Sequence, residues 1–143
     1  SQTQKRNIKN KKYKVVIDSS FKKGVMDYGE IVLKGKSKKE ILFSSYICHP
    51  SMANNELSGP VINTALIHYV NSIKNKKYSY RFVFVPETIG SIAYINKNLK
   101  KFKKDMLAGF VVNCAGDNRD YSFVQTPQRN TFADEIMNYL DCL

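Results

Sequence analysis

Three short polar segments hold the side chains that could do chemistry together: "CHPSMANNELSG" (48–59), "PETIGS" (86–91) and "NCAGDNRD" (113–120). Their candidate ligands and acid–base groups are one imidazole, His49, and the carboxyls of Glu56, Glu87 and Asp117. An imidazole among carboxylates can hold a divalent cation, and a carboxylate beside it can take a proton from water. The first segment has no Lys or Arg, in a chain with 23 of them against 12 acids. A loop that binds a cation has no use for a lysine next to it. Plainer readings stand beside this one. His49 before Pro50 suits a strand-end turn, Asp117 in "AGDN" suits a turn, and Glu87 suits an exposed strand end. Asn54, Asn55 and Ser58 suit turn and cap chemistry, which accounts for Asn54 and Ser58 but leaves the Asn55–Glu56 pair unexplained. His68 reads as structural or solvated. Cys48 and Cys114 read as small core residues at strand ends, with no basic neighbour in sequence to activate either thiol.

These segments need elements to aim them. "ILFSSYIC" (41–48) is a nearly continuous apolar run, the pattern of a strand buried on both faces. Ser58 as N-cap and Pro60 in the first turn open a helix. Its apolar stripe is Val61, Ile62, Ala65, Leu66, Tyr69, Val70 and Ile73. Residues 78–87 and 107–112 read as further strands. Residues 90–100 read as a helix with Ile92, Ile95 and Leu99 inward, and 131–143 as a terminal helix. Shorter strands are expected at 13–18, 25–35 and 121–125, the first two as a hairpin at one edge. Strands alternating with helices predict an α/β fold of three layers, a mostly parallel mixed sheet with helices on both faces. In such sheets the loops leaving the carboxyl ends of strands carry the chemistry, and all three polar segments are loops of that kind.

Composition bounds the rest. At 143 residues, 43% hydrophobic and 24% charged, the chain suits one globular domain. Residues 1–12 read as a basic flexible arm and 13–143 as the α/β domain. No apolar run reaches the ~18–20 residues of a membrane span, and the polar, basic opening carries no signal-peptide pattern. Three cysteines without a C-x-x-C pair suggest reduced thiols and a cytoplasmic location. The net charge of +11 is uneven: residues 1–39 carry twelve Lys/Arg, residues 40–73 none. With nineteen Lys to four Arg, and no aromatic platform beside the charge, it lacks the footprint of nucleic-acid recognition. The Lys runs at 9–14, 36–39 and 100–104 read as solvated faces.

The order strand–His, A-N-N-x-x-S-G, helix, strand–Glu-x-x-Gly, strand resembles the co-catalytic zinc aminopeptidases of the leucyl-aminopeptidase and aminopeptidase Y type. "YICHPSMANNELSGP", "YRFVFVPETIGSIAY" and the "C-x-G-D" before "YSF" are closer still to a bacterial branch of aminopeptidase-like proteins associated with polysaccharide biosynthesis. The likeness runs from Tyr13 to the end, and relatives in that branch are longer at both ends, so the resemblance implies a partial domain, either a piece of a larger protein or a shortened copy. The resemblance implies a zinc-exopeptidase-like fold acting on an amide, at a peptide N-terminus or in an acylated small molecule. It makes His49 a metal ligand and Glu87 the general base, and points to Asn55, Glu56 and Asp117 as further metal positions. Asn55 stands where the zinc type has a bridging Asp, Thr88 where it has a second Glu, and Asn113 where it has another Asp, with Asp117 four residues on. Ser51 replaces the Asp two residues after the His, and no histidine follows His68. The ligand set therefore allows one zinc site at most. The competing expectation is an inactive fold kept as a binding or assembly module.

Overall fold

The structure, a computed structural model, describes residue 6, residues 12–119 and residues 122–141. The sheet has four strands: β1 (Gly29–Leu33), β2 (Glu40–Tyr46), β3 (Ser79–Val85) and β4 (Met106–Val111), in spatial order β1-β3-β2-β4. β2 pairs in parallel with β3 and β4, and β1 runs antiparallel along β3. Among the described residues, three α-helices with both ends defined accompany it: α1 (Ser58–Ser72), α2 (Ile89–Asp105) and α3 (Phe132–Asp141).

The chain leaves β2 for β3 on one side, then crosses back from β3 to β4 on the other. Right-handed crossovers in opposite directions must put α1 and α2 on opposite faces. The contacts agree. On the α1 face, Phe43 stacks between Phe82 and Phe110 at 5.3 and 5.5 Å, and Asn63 of α1 donates to Ser45 of β2. Each such ring pair adds about 0.5–1.5 kcal/mol beyond its buried area. On the other face, Val83 and Val85 pack with Tyr94 and Phe102 of α2 and with Leu42.

That second face also carries a buried ion cluster toward the amino end of the parallel strands. Arg81 grips Glu40 through Nε and a terminal nitrogen at 2.8 and 3.1 Å, and reaches Glu30 at 2.9 Å. Lys101 pairs with Glu40, and the Tyr94 hydroxyl donates to Glu30. Burial alone would raise the Glu40 carboxyl; hydrogen bonds from Arg81 and Lys101 overturn that and hold it below the usual range. Burial, then the bond to Glu30, pushes the Tyr94 hydroxyl well above its ordinary value.

Several expectations are corrected. Residues 13–18 are exposed and form no strand, because β-propensity needs a pairing partner and β1 pairs with β3 instead. The 25–35 strand shortens to Gly29–Leu33, and residues 122–125 form none. In α1, Ile62, Leu66 and Val70 face inward while Val61, Ala65 and Tyr69 are exposed. In α2 the inward face is Gly90, Tyr94 and Phe102; Ile92, Ile95 and Leu99 are exposed, Ile92 by 63%. Two contacts fix that rotation. Tyr94 must reach the Arg81 cluster, and a Cβ on Gly90 would sit 2.7 Å from Pro86 Cδ. Before α3, Thr131 and Asp134 form a reciprocal capping box, and hydroxyls and amides of Thr126 and Thr131 hold the buried Asp134 carboxyl well below its usual range. The expected arm at 1–12 lies outside the described residues except at Arg6 and Lys12. No helix among the described residues is long and apolar enough to cross a membrane.

Candidate active site

The loop after β2 turns toward α1 on one face and the loop after β3 turns toward α2 on the other. A crevice must open between two strand ends whose chains part in this way, and open α/β sheets bind ligands there. His49 and Glu87 sit at its two lips. Ile47 extends the ladder one step past β2 by donating to Val85 O at 3.0 Å, and a tight turn follows, closed by Met52 N–H to His49 O at 3.2 Å.

The next turn is wide. Ala53–Leu57 is a π-helical turn, with Ser58 N–H donating to Ala53 O across five residues. Ser58 is therefore inside the helical run and not its N-cap; its hydroxyl donates to Asn54 O and accepts from Ala115 N–H. The extra residue in this turn carries Glu56 into the interior, where it is 7% exposed. Its Oε2 accepts the Cys48 N–H at 2.6 Å. Its Oε1 is buried with no hydrogen-bond partner among the described residues, and lies 3.8 Å from His49 Nε2. Across the crevice, Glu87 Oε2 is 3.5 Å from the same nitrogen.

Thr88 holds Glu87 in place at some cost. Its φ of 56° and ψ of −73°, with Ile89 N–H donating to Glu87 O at 2.6 Å, describe a γ-turn of the strained hand. A β-branched residue there stores on the order of 1–3 kcal/mol. Strain of this kind persists where the surroundings over-determine a side chain's position.

The ligand-type atoms lie close together. Cys48 Sγ, one Glu56 oxygen and one Glu87 oxygen are all within 4.8 Å of one another. Ligand atoms about 2.0–2.2 Å from a zinc ion lie roughly 3.3–3.6 Å apart. The 3.5 and 3.8 Å separations around His49 Nε2 are close to that spacing. The cleft has a volume of about 500 Å³, and Ile47, Pro50, Met52 and Leu57 give it an apolar wall. His49 lines it, and the side chains of His49 and Glu87 are half exposed, at 51% and 49%.

Of the residues expected at the site, His49, Glu56 and Glu87 come together. Asn55 instead donates to Cys114 Sγ at 3.4 Å, and Asp117 accepts from the Arg119 backbone and guanidinium. Asn54 accepts from Gly116 N–H at 2.6 Å, which ties the first and third loops together. Cys48 and Cys114 are exposed and not core residues. Burial and the Cys114 sulfur at 3.9 Å push the Tyr46 hydroxyl above its ordinary value. His68 is exposed on α1. The residue missed by sequence reasoning is Cys48, whose only signal was its place directly before His49.

Residues 9–141 match the family described as "Domain of unknown function (DUF4910)". The chain belongs to the DUF4910 family. It is 42% identical over 125 residues to a Clostridium acetobutylicum protein described as "Putative polysaccharide biosynthesis protein with aminopeptidase-like domain"; the match covers 87% of this chain and 28% of that protein. It also matches the crystal structure of a "putative peptidase" from Clostridium acetobutylicum with a TM-score of 0.77 and 38% identity, over 96% of this chain and 32% of that one. The DUF4910 chain thus spans about a third or less of the length of these relatives, which carry the aminopeptidase-like and peptidase names.

Proposed function

We propose that this chain is the aminopeptidase-like module of an amide hydrolase, related to the zinc aminopeptidases, acting on a peptide N-terminus or an acylated amino sugar. The peptidase and polysaccharide-biosynthesis names of its relatives support the substrate class. One observation carries the reading: His49 Nε2 stands 3.5 Å from the Glu87 carboxylate and 3.8 Å from the orphaned Glu56 oxygen at the switch point of the sheet.

The donors present fit one divalent ion and not two. A buried carboxylate oxygen without a donor, next to an imidazole nitrogen, is a place a cation would complete. A second ion would need the charge that Asn55 lacks and the carboxylate that Asp117 directs to Arg119. His49 and Glu56 would hold the single ion, which when bound polarises a substrate carbonyl and acidifies water. Glu87, half exposed at the opposite lip, takes the proton from the attacking water and returns it to the leaving nitrogen. The apolar wall at Pro50 and Met52 receives the acyl side chain.

Aminoacyl and N-acetylamino-sugar reporter amides, supplied with Zn²⁺, Mn²⁺ or Co²⁺, test this. Glu87→Gln is expected to lower the rate by ~10²–10⁴-fold. Equal rates in wild type and variant would sink the hydrolase reading. A second reading, an inactive binding module, is favoured by the fate of Asn55 and Asp117. It predicts His49-dependent binding of the same compounds by calorimetry with no turnover under any metal.

A further inference from the structure

We infer that Cys48 is a thiolate ligand of a single transition-metal site that it forms with His49 and Glu56, leaving Glu87 free as proton acceptor. This rests on the one-ion reading above and adds to it a donor and a metal class. Cys48 and His49 leave the end of β2 on consecutive residues, and both reach the same two carboxylates. The sulfur and one oxygen of each carboxylate lie within 4.8 Å of one another; His49 Nε2 stands outside that trio, 3.8 Å from Glu56 Oε1 and 3.5 Å from Glu87 Oε2, so a turn of its half-exposed ring closes the set on one ion.

The independent pointer to a ligand is Glu56. Its side chain is more than nine-tenths buried, it lines the cleft, and its Oε1 has no hydrogen-bond partner among the described residues. A buried carboxylate oxygen with nothing to accept from is costly, and a cation beside it removes the cost. The sulfur is exposed to the same cleft and already acts as an acceptor, taking the Glu87 backbone N–H. On binding a metal the thiol gives its proton to solvent and its lone pair to the ion.

The donor set decides the class of metal. His49 with carboxylates alone is a harder set, open to Mg²⁺, Mn²⁺ or Ca²⁺ as well as to zinc. One sulfur, one nitrogen and one oxygen make the three-ligand complement of a zinc site with an open position. A thiolate selects Zn²⁺ or Co²⁺ over the hard ions.

Titration of the full chain with Co²⁺ tests this through its absorption, without any substrate. The expected result is one cobalt per chain, with a thiolate-to-cobalt charge-transfer band in the near ultraviolet. Cys48→Ser should abolish the band and weaken binding about tenfold or more, while Cys114→Ser keeps the band. One cobalt without that band, and with Cys48→Ser binding equally well, overturns the role of Cys48 and leaves the one-ion site standing. No cobalt bound at all overturns both. If Cys48→Ser does not fold, alkylation of the wild type decides instead. Stoichiometric Zn²⁺ should slow iodoacetamide at Cys48 about tenfold or more and leave Cys114 unchanged; equal rates at Cys48 overturn the inference.

Discussion

The two ends of the parallel strands hold similar side chains in opposite conditions. At the amino end, Glu40 and Glu30 meet Arg81, Lys101 and Tyr94, and each carboxylate has its donors. At the carboxyl end, Glu56 and Glu87 meet one imidazole and one thiol, and an oxygen of Glu56 is left over. A buried ion cluster with its lone pairs matched serves the fold. One with a spare acceptor facing a half-open cleft is built to receive something. The contrast distinguishes charge matched within the fold from charge that, on the proposed reading, serves a ligand.

Four experiments test that contrast. The largest effect is expected at the amino end: Arg81→Ala leaves the buried Glu40 with Lys101 alone and Glu30 without its cation, and should cost ~3–5 kcal/mol in denaturant unfolding. Glu87→Gln should stay within about 0.5 kcal/mol of wild type, and a comparable loss there would erase the distinction. Next is the seam between α1 and β4. A Cβ on Gly59 would stand 2.2 Å from Val112 O, so Gly59→Ala should cost ~1–3 kcal/mol by the same measurement.

The third concerns acid. The Glu40 carboxyl is held below its unfolded value of about 4.3, so its ionised form favours the fold. That stabilisation is complete above the unfolded value and drains away as pH falls through the lower folded one. The denaturant midpoint should therefore drop between pH 5 and pH 3, and drop less in Arg81→Ala; parallel drops would detach Glu40 from the effect. The smallest change is expected from Glu56→Gln. The amide keeps an oxygen for Cys48 N–H and replaces the orphan acceptor with a donor, so without metal the stability should hold or rise by up to about 1 kcal/mol. A loss above 2 kcal/mol would mark Glu56 as structural.

The sheet and the loops were legible because their signals are local. The apolar run before Cys48, the aromatic run before Pro86 and their alternation with helices lead directly to the switch point, and so to His49 facing Glu87. What stayed hidden depends on contacts between distant segments. Asn55 and Glu56 look equivalent in sequence, and the π-helical turn at Ala53–Leu57 decides between them by a single extra residue. Asn55 meets Cys114 across 59 residues of chain. The exposed Ile92, Ile95 and Leu99 have the right spacing for a buried stripe, yet Tyr94 and Gly90 set the helix rotation through one ion cluster and one close approach. Nothing in the hydrophobic pattern encodes either.

The divergence of the two loops has a mechanical consequence. His49 is anchored to the chain that feeds one helical layer, and Glu87, through the stiff γ-turn at Thr88, to the chain that feeds the other. The sheet lies between them like the pin of a pair of calipers. The Ile47 N–H bond to Val85 O and the Glu87 N–H bond to Cys48 Sγ cross that divide, so the gap between imidazole and carboxylate is set by the two strand ends and not by either helix alone.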